Sequence, residues 1–79
     1  MEVKVLGGGC KNCHTLERNA KEALQELNID TEVIKVTEMA DILKHGVMST
    51  PALVIDGKIV ASGRVMKSKE IVKYINALP

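Results

Sequence analysis

The period of the apolar positions changes along the chain, and each change marks an element. Val3, Val5 and Leu6 form a short β-branched and bulky run that Gly7-Gly8-Gly9 ends. This predicts a strand over Met1 to Leu6 followed by a tight loop. Cys13, Leu16, Ala20, Leu24 and Leu27 then recur at three- and four-residue spacing among Lys, Glu, Arg and Asn. That spacing puts them on one face of an amphipathic helix of about four turns, with Asn28 as its C-cap. Thr31 to Val36 carries Val33, Ile34 and Val36 and predicts a second strand. The helix between the strands is long enough for a right-handed crossover, so the two are expected to be parallel.

Thr37 offers an N-cap hydroxyl to a short helix with Glu38 and Asp41 early, Met39, Ile42 and Leu43 on its inner face, and Gly46 as its stop. Ala52-Leu53-Val54-Ile55 and Lys58-Ile59-Val60-Ala61 flank Asp56-Gly57, a strong hairpin signal that predicts two antiparallel strands. Beyond Gly63, Ser68 is the expected N-cap of a last amphipathic helix striped by Ile71, Val72, Ile75 and Leu78, with Pro79 ending the chain. The predicted order is β-α-β-α-β-β-α, an α/β class with a four-stranded mixed sheet. No repeat, linker or low-complexity segment interrupts it, so residues 1–79 are expected to form one domain.

Eleven Lys and Arg against ten Asp and Glu leave a formal charge of +1, without the basic excess that nucleic-acid binding requires. Tyr74 is the lone aromatic residue, so base-stacking platforms are absent too. Met1-Glu2-Val3-Lys4-Val5 runs straight into the first predicted strand, so no signal peptide is expected, and no apolar run approaches the ~18 residues of a membrane span. The expected location is the cytoplasm, where a C-x-x-C is more often catalytic or metal-binding than structural.

The chain's two cysteines form such a motif, Cys10-Lys11-Asn12-Cys13, at the start of the first predicted helix. A disulfide between them closes too short a loop to stabilise much by chain entropy, but it suits a reversible redox switch. The first sulfur sits where a helix leaves N–H groups unpartnered, so the dipole favours a thiolate. Such settings lower a cysteine pKa from ~8.5 into the ~3.5–7.5 range. Cys10 is thus the candidate nucleophile and Cys13 the resolving thiol of thiol–disulfide exchange. Adjacent Lys11 is a candidate for tuning the thiolate.

His14 has three readings: a helix-surface residue that tunes Cys10, the last residue of a Cys-x-x-Cys-His haem attachment pattern, or a third ligand with Cys10 and Cys13 for Cu(I) or Zn(II). A soft-metal carrier is the alternative function. Gly7-Gly8-Gly9 is read as a loop that turns and leaves Cys10 accessible, rather than as an anion nest. Met39, Met48 and Met66 are read as core or loop filling.

The element order, with Cys10-Lys11-Asn12-Cys13 opening the first helix and Thr50-Pro51 just before the third strand, resembles the thioredoxin fold in its smallest form. The likeness spans essentially the whole chain. More narrowly, the chain is similar to small thioredoxin-like redox-active disulfide proteins of prokaryotes. Their Gly-rich approach to C-x-x-C, Thr-Pro-Ala-Leu segment and Asp-Gly-Lys appear here as Gly7-Gly8-Gly9-Cys10, Thr50-Pro51-Ala52-Leu53 and Asp56-Gly57-Lys58. The resemblance implies a cis bond between Thr50 and Pro51, with Thr50 pairing its backbone to the substrate chain. It also implies target protein disulfides, a thioredoxin-reductase-like flavoprotein as electron donor, and no cofactor or metal. Gly63 follows Ser62 where related glutaredoxins have glycines that seat glutathione. The chain departs from typical thioredoxins in having Gly9 in place of Trp and Lys11-Asn12 in place of Gly-Pro. It also lacks an obvious counterpart of the buried acidic residue that assists the second thiol.

Overall fold

In a computed structural model that describes residues 1–78, the elements follow the predicted order. They are β1 (Val3–Leu6), α1 (Lys11–Glu26), β2 (Val33–Val36), α2 (Met39–Lys44), β3 (Ala52–Ile55), β4 (Lys58–Ser62) and α3 (Ser68–Asn76). The expected stop at Pro79 lies outside the described residues. The sheet order is β2-β1-β3-β4, with β1 and β2 parallel and the other pairs antiparallel. None of the helices is long and apolar enough to cross a membrane among these residues.

Alternation along the strands divides the core between the two faces of the sheet. On one face Val3, Val5, Val33, Leu53 and Ile55 pack against Leu16, Ala20, Ala23 and Leu24 of α1 and Ile71 and Ile75 of α3. On the other, Leu6, Ala52 and Val54 are covered by Ile42 of α2 and by Val47. Because both faces are covered, every residue of β3 is buried, which explains its unbroken apolar run.

Asn28 does end α1, though one position beyond the C-cap, which is Leu27. Asn28 takes φ 55°, its N–H bonds the Gln25 carbonyl at 3.1 Å, and that of Ile29 bonds Leu24 at 2.9 Å. This pair of bonds is a Schellman closure. Asp56 and Gly57 both have positive φ, at 49° and 80°, as a type I′ turn demands. Asp56 further exchanges hydrogen bonds with Glu2, at 2.7 and 2.8 Å, fastening the start of β1 to the hairpin. In that hairpin Leu53 and Val54 face Ala61 and Ile59, so Val60 is the extra residue of a bulge.

Two helix starts differ from expectation. Glu38, not Thr37, is the N-cap of α2, and it makes no side-chain capping bond. Lys67, not Ser68, is the N-cap of α3, and its N–H donates to Glu70 Oε1 at 3.1 Å. The inner face of α2 also differs, since Met39 and Leu43 are 67% and 62% exposed and only Ile42 is buried. With six residues the helix presents a single buried side chain to the sheet, and Met39 and Leu43 lie outside that contact. The expected filling role of the methionines holds inside the core for Met66 alone, with Met48 lying fully in solvent. The second strand begins at Val33 rather than Thr31, whose hydroxyl is engaged with the Met1 carbonyl at 3.0 Å.

Candidate redox site

Register assembles the site. Leu6 pairs with Val36 and with Ala52, and Ala52 pairs with Ser62, so these four residues form one row across the end of the sheet. Immediately beyond that row, in chain terms, come Gly7, Thr37, Pro51 and Gly63. Gly7 extends the β1–β2 pairing by donating its N–H to the Val36 carbonyl at 2.9 Å. Gly9, at φ +85°, then turns the chain into α1.

Cys10 is the N-cap of α1 with extended backbone, and its sulfur accepts the Cys13 N–H at 3.2 Å. The two cysteines are joined in a disulfide, with Cα atoms 5.0 Å apart. Cys10 is exposed whereas Cys13 is 5% exposed. No acidic residue occupies the first turn of α1, so nothing there opposes the dipole's preference for a thiolate at Cys10.

The buried sulfur packs on Gly7: a Cβ added at Gly7 would overlap Cys13 Sγ and would lie 3.8 Å from the Thr50 Cβ. Cys13, Gly7 and Thr50 therefore meet at one point. The Thr50–Pro51 peptide bond is cis, with Pro51 buried and Thr50 exposed. This segment is fastened to the end of β4, where the Gly63 N–H donates to the Pro51 carbonyl at 2.9 Å and the Ser62 hydroxyl to the Ser49 carbonyl at 3.2 Å. At Gly63 φ is +75°, and a Cβ would come 2.9 Å from that of Ser49. Close approach to the Thr50-Pro51 loop accounts for this glycine.

The structure thus brings Cys10, Cys13, Thr50 and Pro51 together. Lys11 is exposed and forms no ion pair among the described residues. His14 turns its Nδ1 toward Glu17 Oε1 at 4.0 Å, and no group of three or more His, Cys, Asp and Glu suited to a metal ion is assembled among the described residues. The metal-carrier alternative is not favoured.

Glu17 and Lys35 were given no role by the sequence, and Thr37 only that of a helix cap. They line a cavity of about 40 Å³ beside Cys13, together with Gly7 and His14. A hydrogen bond from Lys21 holds the Glu17 carboxyl below its ordinary range, and the charges of Lys21, Lys35 and His14 add to this against partial burial. The available signal was the i, i+4 spacing of Cys13 and Glu17. Lys35 becomes visible only once β2 is set beside β1 with Val5 opposite it.

A disulfide at the head of the first helix, facing a cis-proline loop at the end of a four-stranded mixed sheet, defines the class of thioredoxin-like redox-active disulfide proteins. The chain belongs to the thioredoxin family, since the family model described as a thioredoxin domain matches residues 1–76. It is 43% identical over 76 residues to a thioredoxin of Methanothermobacter thermautotrophicus, covering 96% of this chain and 99% of that one. A thioredoxin of Methanocaldococcus jannaschii is 36% identical over 69 residues, covering 87% of this chain and 79% of that one. Family, relatives and paired cysteines together make the protein a thiol–disulfide oxidoreductase.

Proposed function

We propose that the protein is a reductant of protein disulfides and an electron carrier, in which Cys10 attacks and Cys13 resolves. The observation that carries this reading is the contrast between the sulfurs: Cys10 is exposed at the helix end with an N–H directed at it, and Cys13 is buried behind it. The Cys10 thiolate attacks one sulfur of a target disulfide, forming a mixed disulfide and releasing the first target thiolate. Cys13, as thiolate, then attacks Cys10 Sγ. The bond to the target breaks, the second target sulfur leaves with the electron pair, and the Cys10–Cys13 disulfide remains.

Thr50 and Pro51 form the wall of the groove that receives the target chain, with the exposed Thr50 backbone available for pairing. A thioredoxin-reductase-like flavoprotein recharges the disulfide, the domain of residues 1–79 works in the cytoplasm, and it needs no cofactor or metal. Lys11 lies beside the thiolate and supports it through bulk charge alone. The relatives' name, thioredoxin, supports the choice of protein targets and of a reductase.

The test is trapping. With an oxidised protein target, Cys13→Ser should accumulate a stable mixed disulfide through Cys10, whereas Cys10→Ser should trap none. Trapping by Cys10→Ser instead would reverse the two roles.

A further inference from the structure

The formal charge of +1 conceals a division along the strands. Val3, Val33, Ile55 and Lys58 stand in register at the end of the sheet remote from the disulfide. Glu2, Glu32 and Asp56 lie just beyond that row, and Glu22, Glu26 and Asp30 lie on the closing turns of α1 and the loop after it. Most of the acidic side chains thus gather at this end. At the disulfide end the sign reverses: Lys11 opens α1, Lys67 is the N-cap of α3 and Lys69 stands in its first turn. All three are exposed, and none forms an ion pair among the described residues. Glu70 beside them is held by Arg64, and Glu38 and Asp41 belong to α2, across the sheet.

Two hydrogen bonds place the lysines of α3. The Gly63 N–H donates to the Pro51 carbonyl at 2.9 Å, which holds the exit of β4 at the cis-proline loop, and Asn19 Nδ2 donates to the Met66 carbonyl at 2.8 Å, which ties the entry of α3 to α1. Helix stability does not account for the division of charge. Acids in the first turn and bases in the last stabilise a helix, and α1 has neither. Its exposed charges run in the opposite sense, from Lys11 to Glu26, and reinforce the positive dipole end beside Cys10.

We propose that the openings of α1 and α3 form a docking surface for acidic segments of target proteins, with Lys67 and Lys69 selecting disulfides that carry Asp or Glu about four residues from the attacked cysteine. The inference rests on Cys10 as the attacking sulfur and concerns which targets reach it; the exchange itself is unchanged. The spacing follows from length. Asn19, which marks the entry of α3, stands on α1 about 13 Å beyond Cys10 at ~1.5 Å per residue. An extended target chain covers that distance in about four residues at ~3.3 Å each. The carboxylates at the far end repel the same partner, so the field turns the disulfide toward it and raises the rate of productive encounter.

Three synthetic peptides test this, each with the same internal disulfide and a tail of Glu, Gln or Lys centred on the fourth position from one cysteine. The reduced protein is mixed with each, and the second-order rate of peptide reduction is followed by acid quench and chromatography. At ~0.01 M salt, where charges act over ~30 Å, the Glu peptide should react about tenfold faster than the Lys peptide, with the Gln peptide between. At ~1 M salt, where the range is ~3 Å, the three rates should converge. Lys67→Gln with Lys69→Gln should slow the Glu peptide about threefold at low salt and leave the Gln peptide unchanged. Lys58→Gln with Lys73→Gln removes the same charge away from the surface, and should leave the Glu peptide at its wild-type rate. Equal rates for the Glu and Lys peptides at low salt, or equal slowing by the two double variants, would overturn the docking surface while leaving the reductant reading intact. If no peptide is reduced at any salt, the reductant reading fails first and the docking surface fails with it.

Discussion

Gly7 lies outside the left-handed backbone region, and yet a side chain there would overlap Cys13 Sγ. Its constraint is space, set by the buried sulfur. Gly8, next along the loop, has nothing within 4 Å of an added Cβ. The pair makes an internal control. Gly7→Ala should lose about 1–3 kcal/mol through overpacking, lowering Tm by roughly 4–8 °C for each kcal/mol in a domain of this size. Gly8→Ala should stay within ~0.5 kcal/mol, as at an unconstrained surface position. Calorimetry of the two oxidised variants checks this, and equal melting temperatures would remove the steric account. The sequence could show a glycine run but not which member touches sulfur, because that contact depends on where β1 stops and α1 begins. Cys10 and Cys13 were legible because their chemistry follows from helix spacing alone. Glu17 was hidden among the many charged residues of α1, and its neighbour Lys35 is supplied by another strand.

The helices and strands themselves were legible wherever a period or a turn residue spoke for them. The Asp56-Gly57 hairpin and the sixteen residues of α1 fall where the pattern placed them. The starts of α2 and α3 did not, because each has a hydroxyl residue near its N-terminus that is not used as a cap. In α3 the cap is built by Glu70, which accepts the Lys67 N–H and also pairs with Arg64 Nη2 at 3.1 Å. The Lys67 hydrogen bond, with Arg64 beside it, lowers the Glu70 pKa from 4.5. A carboxyl more acidic in the folded than the unfolded chain stabilises the fold above its unfolded pKa, and that stability is lost as pH falls through the folded value. Urea titrations from pH 7 down to about pH 3 should therefore show wild type losing stability faster than Glu70→Gln below pH 4.5. Parallel pH profiles would contradict the cap's electrostatic role.

Across the whole molecule, the sheet has α1 and α3 on one face and the six-residue α2 on the other. All four strands end in register beneath the disulfide. The β1–α1 loop and the Ser49–Pro51 stretch both lie at that end. The fold's outline followed from the order of elements, whereas the strand order β2-β1-β3-β4 needed long-range pairing that no local pattern encodes. The partial cover of the second face was not legible either, because Met39 and Leu43 look like core residues until α2 is seen to bury Ile42 alone.

The central claim is that Cys10 and Cys13 form a reversible two-electron couple, and the most direct measurement is its equilibrium potential. Thiol-trapping in dithiothreitol and glutathione buffers, with and without one equivalent of Cu(I) or Zn(II), should give a single reversible transition between about −200 and −300 mV that metal does not abolish. Failure to form the disulfide reversibly, with metal instead protecting both thiols from alkylation, would contradict it.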